Sequence, residues 1–218
     1  MIKRNSSNKN IFILLLTPIY FWLSHYLAVF PHEYAHALVA SLTGFKQHFW
    51  QIDYGGTSLW NILFLTHIDE NVNYAAMYMA KKNYLVGLAA FAGMGFGNGL
   101  TYLISLWLMT KKFIRAHIEL FYFCFWWNVN SIGNFLDYVP IRTFTTHGDM
   151  ANFKNSLNIS PWWIMISLGY LVVWVFSHFY KQTLSQTYTI LGIQNNIIRF
   201  ILLFSVTLVL FGFYGSSG

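Results

Sequence analysis

The stretch PHEYAHALVA, residues 31 to 40, contains side chains that could form a metal site. His32 and His36 are four residues apart, so on a helix they lie on one face and can both reach a single metal ion. Glu33 lies beside them, where its carboxylate could take a proton from a water molecule whose pKa a zinc ion lowers to about 7. The order His-Glu-x-x-His therefore predicts a hydrolytic zinc site with Glu33 as general base.

The residues that could complete this site lie in SIGNFLDYVPIRTFTTHGDMANF, a polar stretch between two apolar ones. Catalytic zinc takes three protein ligands and keeps one open position. Asp137 and Asp149 are both candidates for the third ligand, and Asn134, Arg142 and His147 lie close to them in the sequence. The alternative role of Asp137 is a salt bridge to Arg142, and that of Asp149 is a helix N-cap.

The composition is that of an integral membrane protein. Charged residues make up 9% of the 218 residues, whereas soluble domains average about 25%. Hydrophobic residues make up 56% and aromatic residues 20%, more apolar surface than a soluble fold of this size can bury. The net charge of +6 comes from short basic clusters beside apolar runs. Such clusters are typical of topological anchors and contacts with anionic lipid in a bilayer, and do not predict nucleic-acid binding.

The elements that must position the site are predicted to be membrane helices. Residues 1–10 form a basic tail, which predicts a cytoplasmic N-terminus, and residues 11–214 form a single integral-membrane domain. The predicted spans are 11–30, 84–110, 113–137, 162–180 and 190–213, and 31–43 is either a short additional helix or a continuation of the first span bent at Pro31. The sequence thus predicts an all-α polytopic membrane protein with five to six transmembrane helices.

Two further segments have patterns of their own. The region around 46–65 is too polar for a plain span and carries Gly55-Gly56, which predicts a short re-entrant or interfacial hairpin with its turn at the glycines. Residues 50–65 of this hairpin could pair with a substrate as an added strand. The stretch GLAAFAGMGFGNG, residues 87–99, has no βαβ context for nucleotide binding. Its glycines predict a face on which another helix packs closely.

These segments together resemble the site-2-protease superfamily of intramembrane zinc metalloproteases, in its compact branch without a PDZ insert. The resemblance covers roughly residues 25 to 175 and rests on HEYAHALVASLTG (32–44), on GLAAFAGMGFGNG and on GNFLDYVPIRTFTTHGDMANF followed by ISPWW. It implies that His32 and His36 are zinc ligands and that Glu33 is the catalytic base.

The same resemblance bears on the third ligand. In the family this ligand is the aspartate of a Leu-Asp-Gly motif, which the chain lacks. Leu136-Asp137-Tyr138 keeps the first two letters of the motif, whereas Gly148-Asp149 precedes a predicted helix as a Ser-Asp element does in compact relatives. The resemblance therefore favours Asp149, with Asp137 as the alternative.

The resulting hypothesis is a zinc metalloprotease that hydrolyses peptide bonds of transmembrane protein substrates within the bilayer. Asn134, Arg142 or His147 would hold the oxyanion or the substrate backbone. A membrane zinc hydrolase acting on a lipid amide would use the same metal chemistry. A catalytically inactive metal-binding relative would use the inherited pocket only to bind membrane partners. Glu33 argues against the inactive relative, because a purely structural zinc site does not require a general base.

Overall fold

The computed structural model of the chain describes residues 12–215, and within that range it contains helices and no β-strand. After a helical turn at 12–15, the helices are α1 (Thr17–Leu42), α2 (Leu59–Phe64), α3 (Tyr74–Met79), α4 (Asn83–Ala92), α5 (Gly99–Thr110), α6 (Lys112–Ala116), α7 (Ile118–Leu136), α8 (Asp149–Leu157), α9 (Pro161–His178), α10 (Leu184–Ile190) and α11 (Asn196–Leu208). The π-helical segments Gly93–Asn98, Asp137–Ile141, Phe179–Thr183 and Val209–Tyr214 and the 3-10 turn Arg142–Phe144 continue or join them. The prediction of an all-α fold is confirmed, and the basic tail 1–10 lies outside the described residues.

Helix α1 runs without interruption through Pro31, so residues 31–43 continue the first helix rather than forming a separate one. Proline has no N–H and cannot donate to the carbonyl four residues earlier, which here belongs to Leu27. The indole N–H of Trp127 on α7 donates to that carbonyl instead, at 3.2 Å. Trp127 of α7 thus supplies the donor that Pro31 lacks, and α7 compensates for the proline in α1.

Helices α4 and α5 are joined by the π-helical segment Gly93–Asn98, and the glycines of this region allow close packing on both sides. A Cβ atom on Gly97 would lie 2.6 Å from the Cα of His32 on α1. One on Gly87 would lie 2.8 Å from the Ser156 hydroxyl of α8. The predicted helix-packing face is confirmed at Gly87 and Gly97, whereas a Cβ on Gly99 would meet nothing within 4 Å.

Helix α7 forms the centre of the core, and polar side chains connect it to its neighbours. The Asn130 amide donates to the Ser24 hydroxyl of α1 at 2.8 Å, and the Ser131 hydroxyl donates to Thr101 of α5 at 3.0 Å. All four residues are buried. Hydrogen bonds of this kind hold apolar helices together where burial from water supplies little driving force.

Two helical stretches, Pro161–Ile190 and Asn196–Tyr214, are long and apolar enough to cross a membrane. Only 22% of the most apolar window of each is buried within the protein. The core helix of a soluble protein would have most of such a window buried, so the outward faces of these two helices favour contact with lipid.

The region around 46–65 differs from the predicted hairpin. Asp53 and Asp69 form a single antiparallel bridge, and the residues between them make a closed loop that contains α2. The Asn61 amide N–H group donates to the carbonyls of Tyr54 at 2.6 Å and Gly56 at 2.7 Å, and its Oδ1 accepts from the His67 N–H at 2.8 Å. Side-chain bonds of this kind compete with strand pairing. The expected hairpin is therefore corrected to a loop, hereafter the cover loop (residues 53–69), and 50–65 offers no strand.

Candidate metal centre

Three side chains that are distant in sequence converge at one point. His32 and His36 project from α1, and Asp149 is the first residue of α8. The Nε2 atoms of the two histidines are 3.0 Å apart. Asp149 Oδ2 lies 3.3 Å from His36 Nε2 and 3.6 Å from His32 Nε2. The structure thus brings together the two predicted histidines and one of the two candidate aspartates.

The position of Asp149 is fixed by the turn before α8. Gly148 has a φ of 80°, in the left-handed region that favours glycine. The Lys154 ammonium group donates to the carbonyls of Thr143 at 3.0 Å and Thr145 at 2.6 Å, which ties this turn to α8. The cap position belongs to Gly148, so Asp149 is not the helix N-cap. Its carboxylate is free to point toward the histidines.

The donor atoms of this cluster fit a divalent cation. The Nδ1–H of His36 donates to the Ala89 carbonyl at 2.7 Å, which leaves Nε2 as the nitrogen that faces the cluster and could bind an ion in place of its proton. Burial raises the pKa of the Asp149 carboxyl, but the positive charge of His36 and hydrogen bonds from His32 and His36 hold it well below its ordinary value. Asp149 is therefore a carboxylate, and its oxygen faces the two Nε2 atoms as a third possible ligand atom.

The separations of these atoms also match a metal site. In a tetrahedral zinc site with bonds of about 2.0 Å, two ligand atoms lie roughly 3.3 Å apart. The observed separations of 3.0, 3.3 and 3.6 Å are centred on this value. All three ligand atoms lie within 4.8 Å of one another. His32, His36 and Asp149 can therefore hold a metal ion with little movement.

A cavity of about 370 Å³ opens beside this cluster. Its lining includes His32 and Glu33 together with Phe64, Leu65 and Ile68 of the cover loop. The cover loop is attached to α1 through the Nε2–H of His25, which donates to the Phe64 carbonyl at 3.0 Å. A substrate in this cavity would contact both apolar side chains of the cover loop and the side chain of Glu33.

The other candidate residues are divided between the cavity and the surface. Asp137 pairs with Arg142 at 2.9 Å, as in the alternative role predicted for it, and the pair lines the cavity. Asn134 lines it too and donates to Asn98 Oδ1 at 3.1 Å. His147 is exposed and is not among the cavity residues. The structure therefore brings Asn134 and Arg142, but not His147, to the cavity.

Two residues near the cluster are absent from the sequence-based set. The Glu70 side chain, which follows the cover loop, reaches the carboxyl of Glu33. The Tyr138 hydroxyl lies within hydrogen-bonding distance of both His32 and Asp149. No sequence motif marks Glu70, which follows a loop, or Tyr138, which lies in a sequence rich in aromatic residues. Only the fold shows that they lie near the cluster.

Neither a family model, nor a curated protein, nor a solved structure matches this chain. What the site does must therefore be argued from its own geometry. That geometry consists of three convergent side chains that could hold a metal ion, an adjacent glutamate, and a cavity lined by both a histidine of the cluster and the glutamate.

Proposed function

We propose that this chain is an intramembrane metallopeptidase in which His32, His36 and Asp149 hold a zinc ion. The observation that carries the proposal is the convergence of the three ligand atoms, within 4.8 Å of one another, directly beside Glu33. Zinc is preferred because two imidazoles and one carboxylate are a common ligand set of catalytic zinc. The arrangement is that expected from the resemblance to site-2 proteases, with Asp149 as the third ligand.

The membrane part of the proposal is a polytopic arrangement of five to six spans. An exposed apolar stripe at every fourth residue runs from the helical turn 12–15 along α1 and is formed by Leu15, Ile19, Leu23 and Leu27. A second stripe runs from the π-helical segment Gly93–Asn98 along α5 and is formed by Phe96, Leu100, Leu103 and Trp107. A third lies on α11 and consists of Ile197, Phe200, Ile201, Phe204 and Leu208. Soluble proteins rarely expose apolar patches of this extent, so several helices besides α9 have faces suited to lipid.

In the proposed chemistry, the zinc ion and the side chains have different roles. A bound zinc ion polarises a carbonyl and lowers the pKa of water. Glu33 lines the cavity beside His32, where its carboxylate takes the proton from the attacking water and gives it to the leaving amine. Asn134 and the Arg142–Asp137 pair lie on the same cavity wall and are the polar groups available to hold the substrate backbone.

The lining of the cavity supports a transmembrane segment as the proposed substrate. Its walls combine the apolar side chains of the cover loop with the polar residues at the end of α7. A transmembrane segment could enter from lipid, but it must unwind locally because a helix keeps its peptide bonds within its own hydrogen-bond pattern. The cavity of about 370 Å³ is large enough for a few side chains of an unwound segment and too small for an intact helix of about 10 Å diameter.

Two alternative functions use the same cavity. A zinc hydrolase that cleaves a lipid amide would need the same ligands and the same base, and the apolar wall would accept an acyl chain. An inactive relative that binds membrane partners would need the pocket but not Glu33. The proximity of Glu33 to His32 in the cavity favours the two hydrolytic functions over the inactive one.

The experiment that tests the proposal compares wild type with Glu33→Gln, both purified in detergent and loaded with zinc. Each is incubated with a panel of transmembrane peptides and with a ceramide-like amide. We expect peptide cleavage by wild type and a fall of about 100-fold or more in Glu33→Gln, since general bases contribute factors of this size. Zinc content should be equal in the two proteins, because Glu33 is not a ligand.

The other outcomes separate the alternatives. Cleavage of the lipid amide alone would mean that the protein uses the same mechanism to hydrolyse a lipid and is not a peptidase. Zinc binding with no cleavage of either class, and with no effect of Glu33→Gln on the binding of membrane proteins, would favour the inactive relative.

A further inference from the structure

The Tyr138 hydroxyl oxygen is as close to the metal-binding atoms as those atoms are to one another. It lies 2.8 Å from His32 Nε2 and 3.1 Å from Asp149 Oδ2. The separations within the cluster of His32, His36 and Asp149 are 3.0 to 3.6 Å. The oxygen therefore takes a place comparable to that of a fourth ligand atom.

The ring of Tyr138 is held in this place from two sides. Its centroid is 4.9 Å from that of the His32 imidazole. The Arg142 guanidinium carbon lies over the face of the ring, 5.0 Å from its centre, in a cation–π contact that holds the ring in place. Tyr138 itself is 8% exposed and belongs to the π-helical segment Asp137–Ile141, a type of distortion that is frequent at functional sites.

If the histidines bind a metal, the Tyr138 hydroxyl loses its hydrogen bond to His32. A nitrogen that donates its lone pair to an ion cannot also accept the Tyr138 proton, so the contact with His32 Nε2 could not persist as a hydrogen bond. The hydrogen bond to Asp149 Oδ2 could persist, because a carboxylate has lone pairs for both the proton and the ion, and it would keep the phenol oxygen beside the ion. A phenol oxygen that instead donates its own lone pair to the ion would satisfy all three groups, and tyrosine is a known ligand of protein-bound metals.

We propose that Tyr138 is a fourth metal ligand, which closes the open position of the site in the resting protein. The inference rests on the proposed metal site and adds to it a form of regulation. Structural zinc sites are four-coordinate and closed, whereas catalytic ones keep a free position. Tyr138 lines the cavity, so a substrate that fills the cavity can displace its side chain and thereby create the free position only when it is bound.

The test uses the full-length protein in detergent, loaded with Co²⁺ as a spectroscopic substitute for zinc. Wild type is compared with Tyr138→Phe, which removes only the hydroxyl. The control is Tyr102→Phe, because Tyr102 is also buried and its hydroxyl has no hydrogen-bond partner among the described residues. Co²⁺ affinity, the visible absorption spectrum and the binding of azide are measured for all three proteins.

We expect Tyr138→Phe to weaken Co²⁺ binding by at least tenfold, to change the visible spectrum and to allow azide binding that wild type resists. Tyr102→Phe should leave all three properties unchanged. A weaker affinity with an unchanged spectrum would overturn the ligand assignment and make Tyr138 a residue that only positions Asp149. Wild-type affinity and spectrum in Tyr138→Phe would also overturn it, while leaving the three-ligand site intact.

Two further results keep the inference distinguishable from the proposed function. If wild type takes up no Co²⁺, the metal site itself is wrong and the role of Tyr138 falls with it. If Tyr138→Phe does not fold, wild type loaded with Fe³⁺ provides the decision. A visible charge-transfer band from phenolate to iron is expected, and its absence would contradict ligation by Tyr138.

Discussion

Gly93 packs so closely against His36 that a methyl group on its α-carbon would overlap the imidazole Nε2. The same methyl group would lie 2.6 Å from the Nε2 atom of His32. The backbone at the start of the π-helical segment Gly93–Asn98 thus forms one side of the cluster of His32, His36 and Asp149. A glycine is required here by the space that the two histidines occupy, since its backbone is an ordinary helical one with a φ of −58°.

Gly93→Ala is therefore expected to abolish or greatly reduce zinc binding while the helices are retained. The matched control is Gly99→Ala, six residues further along, where an added Cβ would meet nothing within 4 Å. Zinc per chain and far-ultraviolet circular dichroism of both variants provide the measurement. Full zinc content in Gly93→Ala would mean that the histidines do not hold the ion in the observed positions.

The apolar stripes predict which surface residues are immersed in lipid. Leu103 on α5 and Phe204 on α11 are 61% and 57% exposed on the protein surface. In membranes, cysteines at these positions should react slowly with a water-soluble maleimide, because lipid covers them. A cysteine at Thr146, in the polar turn before α8, should react rapidly from one side of the membrane. The native Cys124 is buried and should contribute little labelling.

Permeabilised vesicles serve as the control for sidedness in this experiment. Labelling of Leu103→Cys and Phe204→Cys as fast as that of Thr146→Cys would show that water reaches these helices. The proposed polytopic arrangement would then be wrong.

Asn61 is expected to determine the order of the cover loop. Its three hydrogen bonds, to Tyr54, Gly56 and His67, would be lost in Asn61→Ala, and an unmade buried hydrogen bond costs about 1–3 kcal/mol. We expect faster limited proteolysis between residues 53 and 69, with zinc content unchanged. Asn73→Ala, which removes a single exposed bond to the Ala76 N–H, is the control. Equal proteolysis of the two variants would contradict a loop held by Asn61.

The sequence was sufficient to predict the histidine pair because its signal is local. Four-residue spacing on any helix brings His32 and His36 to one face, whatever the rest of the fold does. Helix locations were predictable for the same reason: long apolar runs between basic clusters correspond to α1, to α4 with α5, to α7, to α9 and to α11.

The sequence does not predict which residues from distant segments the tertiary structure brings to the site. Asp137 and Asp149 lie in one polar stretch. The path of the turn before α8 decides that Asp137 pairs with Arg142 and that Asp149 contacts His36. Glu70 comes close to Glu33 because the cover loop closes through Asp53 and Asp69. The hairpin prediction failed because a single asparagine side chain, that of Asn61, supplies bonds that a strand pair would otherwise make.

The central claim is that His32, His36 and Asp149 hold a metal ion, and zinc content per chain tests it most directly. Wild type, Asp149→Asn and Asp137→Asn are purified in the same detergent, exposed to the same zinc buffer and analysed for bound metal. We predict one zinc per chain in wild type, loss of zinc in Asp149→Asn, and retention in Asp137→Asn, which should instead unfold more easily because Arg142 loses its partner. A wild-type protein that binds no zinc, or an Asp149→Asn variant that binds as much as wild type, would contradict the claim.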